Sequence, residues 1–213
     1  MQRFQPSRFA SEQQMNEARD LPVKDRLLAS GTALFAEKSY DGVSVREICK
    51  HAGTSMNMIH HYFGNKEGLL REVVGQLNSN VLVVPMRLLK GPTRSREDFQ
   101  SRMGLLFETT LEAYIKHRDV LVVAVREQAE LPAIQEYMAR FVEFIGQAKE
   151  QGIVRSELDT EMITGAMLDR ILSQVHHAPF IKKTFGIDVL GDRDYQRRWS
   201  QANLDLFLHG FLA

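Results

Sequence analysis

Residues 44–66, SVREICKHAGTSMNMIHHYFGNK, constrain the fold more than any other stretch. Ser44 followed three residues later by Glu47 has the spacing of a capping box, which opens a helix. Val45, Ile48, Cys49 and Ala52 then repeat at i, i+3, i+4 and i+7, one apolar helical face. Gly53 ends that helix, because glycine enters the left-handed backbone region cheaply. Ser55 is the expected N-cap of a second, short helix. At about 100° per residue, Ile59 and Phe63 share a face that must meet a core. Asn57 and His61 then point away from it, with Met58 and His60 flanking them and Tyr62 at the edge. That outer set holds side chains that hydrogen-bond base edges and phosphates, not long charged surface fillers.

Two helices around a short Gly-containing turn fit a helix-turn-helix DNA-reading unit. They fit an ordinary αα-hairpin of a helical bundle equally well, so spacing alone leaves both open.

Residues 24–70, KDRLLASGTALFAEKSYDGVSVREICKHAGTSMNMIHHYFGNKEGLL, resemble the N-terminal domain of the tetracycline-repressor (TetR) family. The matching pieces are LFAEKSYDGVSVREI, the AGTS turn, HHYF and GNKEGLL, together roughly a quarter of the chain. The resemblance implies a bacterial, homodimeric, ligand-responsive transcription regulator, usually a repressor. Ser44 and Arg46 match the start of the family's positioning helix, where phosphates are touched. Ser55, Met56, Asn57, His60 and His61 match reading-helix positions, and Tyr62 and Lys66 match phosphate contacts. At Lys66 the dipole of the next helix would act together with the ammonium. Met58 stands where the family often has Thr or Ser, and His60 where it often has Tyr. Met58 reaches a thymine methyl or packs; packing is the favoured reading.

Lys plus Arg and Asp plus Glu both number 27, a net charge of zero. That argues against a non-specific nucleic-acid coat and requires any DNA contact to use a local basic surface. At 44% hydrophobic and 25% charged, the composition is that of an ordinary soluble protein. The one cysteine, Cys49, excludes an internal disulfide and sits on an apolar face, so an inert thiol is preferred over a sensor. No run approaches the ~20 apolar residues of a membrane span, and the N-terminus lacks the apolar segment of a signal peptide. A cytoplasmic location without membrane contact is expected.

The expected class is all-α: an N-terminal three-helix helix-turn-helix domain over 21–70 and a C-terminal helical ligand-binding and dimerisation domain over 71–213. Residues 1–20 read as a loosely ordered extension whose Arg3 and Arg8 either enter a minor groove or belong to a frayed tail; the tail is preferred. Leu27, Leu28, Gly31, Leu34 and Phe35 predict a helix after Pro22. Asn65 should cap a connecting helix that carries Leu69, Leu70, Val73, Val74 and Leu77, with Pro85 ending or kinking it. The runs 81–84 and 120–125 have strand propensity, but their context favours helix.

Further helices are expected from Ser95, Pro132, Asp159 and before Trp199. Their inner positions are Met103, Leu106, Phe107, Thr110, Leu111 and Tyr114; Ile134, Met138, Phe141, Val142 and Ile145; and Ile163, Ala166, Met167, Ile171 and Val175. Pro179 should stop or bend the third of these helices, with a variable segment after it. The last helix is apolar on two sides, through Trp199, Asn203, Leu206 and Phe207 and through Leu204, Leu208 and Leu212. It is therefore expected to pair, with the helix near 160–178, against a second copy. The self-contact would run through 160–178 and 194–212.

No catalytic constellation stands out, since Glu108, Glu112, Glu127 and Glu130 lie at spacings that solvated faces show anyway. His176 and His177 point about 100° apart on a helix and so do not chelate one ion; no metal or cofactor is expected. Arg126, in an apolar run, snorkels, pairs with a carboxylate or meets an anionic ligand; structural pairing is preferred. Inner stripes are usually core. The resemblance implies that part of them, Met103, Phe107, Leu111, Tyr114, Arg126, Met138, Phe141, Met167 and Ile171, lines a cavity for a small apolar or aromatic effector. The expected function is a repressor that binds a palindromic operator in double-stranded DNA and is released by that effector. The alternative is a helical small-molecule-binding protein or enzyme without specific DNA binding.

Overall fold

The computed structural model describes residues 21–211. The expected extension over 1–20, with Arg3 and Arg8, and Leu212 lie outside the described residues. Every regular element among the described residues is a helix. The chain forms two compact units. One holds the residues up to Leu77 together with Asp119–Glu130; the other holds Asn78–Arg118 and Leu131–Ala213.

The first unit opens with α1, Val23–Lys38, which buries Leu27, Ser30, Gly31, Leu34 and Phe35. Leu28, expected on the same stripe, is half-buried. Helix α2, Val45–Ala52, begins where Ser44 Oγ accepts the Glu47 N–H at 3.2 Å. Only this half of the capping box is seen, because the Glu47 carboxylate pairs with Lys38 Nζ. Ile48, Cys49 and Ala52 are buried, and Gly53 closes the helix at φ 64°. Burial pushes the Cys49 thiol up in pKa, which keeps it protonated and unreactive.

Helix α3, Asn57–Phe63, begins later than Ser55 predicts. Met56 occupies the cap position without a side-chain hydrogen bond, and the Ser55 carbonyl, not its hydroxyl, accepts the Met58 N–H at 3.1 Å. Asn65 Oδ1 accepts the Gly68 N–H at 2.8 Å and starts α4, Lys66–Asn80, as expected. Helix α7, Arg118–Arg126, buries Val120, Leu121, Val123 and Ala124. Its β-branched run is helical because those positions fall on one helical face, and burial there outweighs intrinsic propensity. Arg26 joins α1 to the end of α2 by donating from Nε to the Ala52 carbonyl at 3.1 Å.

His51, in the last turn of α2, is half-buried, with Nδ1 2.9 Å from Ser30 Oγ. Burial holds its pKa below the ordinary histidine value of 6.5. An unfolded chain therefore takes up a proton more readily than the folded one. The resulting stability is present above pH 6.5 and is lost as pH falls toward and through the lowered value. Urea titrations between pH 8 and 5 should show this loss, and His51→Gln should flatten it; an unchanged slope in the variant would place the titration elsewhere.

In the second unit, α4 gives way to a two-residue turn and then to α5, Val83–Leu88. Pro85 lies in the first turn of α5, where its missing N–H costs nothing. Helix α6, Arg96–Lys116, is capped by Ser95 Oγ on the Asp98 N–H. It buries Met103, Leu106, Phe107, Thr110, Leu111 and Tyr114 as its spacing predicts, and Phe99 as well.

Helix α8, Pro132–Glu150, is rotated from its expected face. Tyr137, Phe141, Phe144, Ile145 and Ala148 are buried, whereas Ile134, Met138 and Val142 are half-buried. Phe144 stacks on Phe99 with centroids 5.5 Å apart, and Tyr137 OH lies 2.8 Å from Thr110 Oγ1. Asp159 caps α9, Thr160–His176, on the N–H groups of Glu161 and Met162. Pro179 stops α9 by starting α10, Ala178–Phe185, so the segment expected to be variable is partly helical.

Helix α11, Arg193–Phe211, buries the expected Asn203 and Leu204 together with Gln196 and Ser200, which apolar counting misses. Gln196 Nε2 donates to the carbonyls of Val189 and Leu190, which satisfies it. Leu206, on one of the two apolar sides expected to face a second copy, is exposed.

Candidate nucleic-acid interface

Helix α3 is anchored from behind by Ile59, 2% exposed, and by the half-buried Phe63. Apart from Met58, its other positions face solvent. Ser55, Met56, Asn57, His60, His61 and Tyr62 are all exposed, as are Ser44 and Arg46 at the start of α2. Met58 is half-buried, which accords with packing. The face that the 3.6-residue period turns outward therefore is outward, and it carries amide, imidazole, phenol and guanidinium groups.

Local contacts set several of these side chains. His60 Nδ1 lies 2.7 Å from the Gly64 carbonyl oxygen. The rings of His61 and Tyr62 meet edge to face at 4.7 Å. Ser44 Oγ accepts from the Glu47 N–H, which leaves its hydroxyl proton for an external oxygen. Lys66, in the first turn of α4, is half-buried, and its Nζ sits 4.0 Å from the centroid of the Tyr40 ring. A cation–π contact of this kind holds the ammonium without neutralising its charge. The sequence shows no sign of Tyr40 in this role, because the pairing joins residues 26 apart in separate elements.

Arg126 leaves the effector set. It lies in the first unit, where its Nη1 donates to the carbonyls of Phe35 and Ala36 at 3.2 and 3.1 Å. Those carbonyls belong to the last turn of α1, where Phe35 O also accepts the Ser39 N–H at 3.0 Å. The neighbouring Glu127 Oε1 accepts the Tyr40 N–H at 3.0 Å. Residues 126 and 127 thus close the end of α1 and hold the turn that leads into α2.

In the second unit Met103, Phe107, Leu111, Tyr114, Phe141, Met167 and Ile171 are buried, and Met138 is half-buried. Burial pushes the Tyr114 phenol up to about 12, so it stays protonated as a hydrogen-bond donor. A groove of about 280 Å³ is lined by Glu108, Leu111, Glu112, Arg193, Gln196, Arg197 and Ser200. Arg193 Nη1 and Glu112 Oε1 pair within that set at 3.4 Å. Among the described residues, no group of three or more His, Cys, Asp or Glu side chains is arranged to hold a metal ion. None of the described helices is long and apolar enough to cross a membrane.

Residues 27–73 match the family model of bacterial regulatory proteins, tetR family. YvdT of Bacillus subtilis, an uncharacterized HTH-type transcriptional regulator, is 26% identical over 99 residues, 46% of this chain and 49% of YvdT. The match to YvdT thus spans about half of that protein's length. KstR2 of Mycobacterium tuberculosis, an HTH-type transcriptional repressor, is 26% identical over 151 residues, 66% of this chain and 73% of KstR2. The solved structure of KstR2, described as a ketosteroid transcriptional regulator, superposes with a TM-score of 0.69 at 20% identity, covering 90% of this chain and 96% of that one. FadR of Bacillus subtilis in complex with stearoyl-CoA superposes with a TM-score of 0.64 at 15% identity, covering 87% of this chain and 98% of that one. At such identities the superpositions establish a shared all-helical fold, and the match over 27–73 establishes that the helix-turn-helix segment is that of the tetR family of bacterial regulatory proteins.

Proposed function

We propose that this helix-turn-helix regulator is a ligand-responsive repressor that binds a palindromic operator as a homodimer. The observation that carries the reading is the outward face of α3: Asn57, His60, His61 and Tyr62 exposed over an anchored Ile59. Ser44, Arg46 and Lys66 supply phosphate contacts around it, and Ser55 and Met56 border the bases. A two-fold pair of reading helices would enter successive major grooves about 34–36 Å apart.

Self-association is supported by the outer faces of α9 and α11. Met162 is 74% and Leu206 64% exposed, beside the exposed Ala166 and Ala202. The two helices are tied by Gln174 Nε2 to Tyr195 OH at 2.7 Å and by Arg170 Nε to Asn203 Oδ1. Apolar surface on two helices tied in this way favours a second copy as its cover.

The effector reading rests on the aromatic and Met side chains of α6, α8 and α9: Met103, Phe107, Leu111, Tyr114, Met138, Phe141, Met167 and Ile171. KstR2 is described as a ketosteroid regulator, and FadR holds stearoyl-CoA. Both are named with ligands that carry a large apolar body, the chemistry this core suits. The effector shifts the dimer between geometries only through its differential affinity for them.

Gel-shift titrations of alanine variants on a panel of duplexes test the DNA reading. Tyr62→Ala and Lys66→Ala should weaken binding to every duplex about fivefold, and Lys66→Ala should lower the salt slope by about 1. Asn57→Ala and His61→Ala should change the order of preference among duplexes. Unchanged binding in all four would refute the site.

A further inference from the structure

His60 is held at both ends of its residue by Gly64. The Gly64 N–H donates to the His60 carbonyl at 3.1 Å, and the His60 Nδ1 lies 2.7 Å from the Gly64 carbonyl oxygen. The second contact is made possible by Gly64 itself, whose φ of 76° turns its carbonyl back toward the helix. A carbonyl oxygen only accepts, so the proton must lie on Nδ1. In the neutral ring Nε2 is then a bare lone pair on an exposed side chain. Most exposed histidines choose their tautomer after meeting a partner; this one has chosen beforehand.

We infer that His60 is a specificity-determining residue that selects bases bearing an exocyclic amino group. The inference rests on the DNA reading proposed above. In the major groove, cytosine N4 and adenine N6 present donors, whereas guanine O6 and N7 and thymine O4 present acceptors. An Nε2 lone pair accepts from the first pair and is repelled by the second. His60 therefore discriminates amino from keto bases on the strand it faces. The His61 ring meets Tyr62 edge to face, a contact that fixes no tautomer, and so carries no equivalent bias. A residue that merely capped α3 would stabilise the helix end and leave base preference untouched.

The experiment starts from duplexes enriched by the full-length protein from a randomised pool. Each adenine of the enriched duplex is replaced in turn by purine, and each cytosine by 2-pyrimidinone, which removes only the amino group. At one position per half-site, this removal should weaken the wild type about fivefold, the scale of one net hydrogen bond. It should not weaken His60→Ala further. Loss of Watson–Crick pairing affects both proteins alike and cancels in the comparison. Long-range ¹H–¹⁵N spectra of the free protein should place the neutral-ring proton on Nδ1. A proton on Nε2, or uniform weakening of His60→Ala on every duplex with no coupled position, overturns the assignment. If the wild type enriches no sequence at all, the DNA reading falls and this inference with it. If it enriches one and no position couples, only the role of His60 falls.

Discussion

Gly68→Ala is expected to cost about 3 kcal/mol of stability, at the upper end of overpacking penalties. Specific duplex binding should fall about 100-fold, as two base contacts lose register together. The cause is geometric. Gly68 lies in the first turn of α4, and a Cβ there would sit 1.9 Å from the carbonyl oxygen of Phe63, the last residue of α3. That neighbour is backbone and cannot swing aside. The end of the DNA-reading helix must move, or the Asn65 cap on the Gly68 N–H must open. Gly75→Ala is the matched control: it lies on the same helix, and an added Cβ meets nothing within 4 Å. It should gain about 0.5–1 kcal/mol from helix propensity and bind as the wild type does. Chemical denaturation and gel shifts on both variants decide the matter. Equal binding by the two would mean that this close approach does not set the angle between α3 and α4.

Arg102→Ala should lower stability by about 3 kcal/mol, because it strips a charge-assisted donor set from four carbonyls at once. Arg102 Nε donates to the Leu88 carbonyl at 2.8 Å and Nη1 to that of Pro92 at 3.3 Å. Nη2 donates to the carbonyls of Lys90 and Gly91 at 3.0 and 3.2 Å. The guanidinium also lies 4.4 Å over the Phe144 ring and 3.6 Å from Asp98. One planar fork therefore ties the end of α5 to three consecutive carbonyls of the turn that follows it. Arg102→Lys should recover less than half of the loss, since a single ammonium cannot reach four carbonyls in different directions. Urea denaturation of the two variants checks this; a lysine variant as stable as the wild type would show that charge alone suffices.

The residues that were legible in the sequence share a physical trait: their partners are near in sequence or their burial follows one period. The stripe of α6 and the outward face of α3 come straight from the 3.6-residue repeat. Asn65, Ser95 and Asp159 reveal themselves as caps because each serves N–H groups two or three residues on. Helix α8 defeats the same reasoning. It carries large apolar side chains on adjoining faces, and the stack of Phe144 on Phe99 and the Tyr137–Thr110 hydrogen bond decide which face is buried. In α11 the inward side also carries the polar Gln196 and Ser200, which hydrophobic counting passes over. At the candidate site the exposed set is legible, whereas the supports are not. Tyr40 beneath Lys66, and Arg126 and Glu127 against the end of α1, are contacts across 26 to 91 residues.

That last contact bears on how the protein comes into being. The guanidinium that joins the carbonyls of Phe35 and Ala36 is translated about 90 residues later. A nascent chain released at Leu77 would hold every side chain proposed to meet DNA and still lack the piece that finishes their scaffold. The DNA-binding half is thus completed only after much of its nominal partner half has left the ribosome. A gene fragment cut at the apparent boundary encodes an unfinished object.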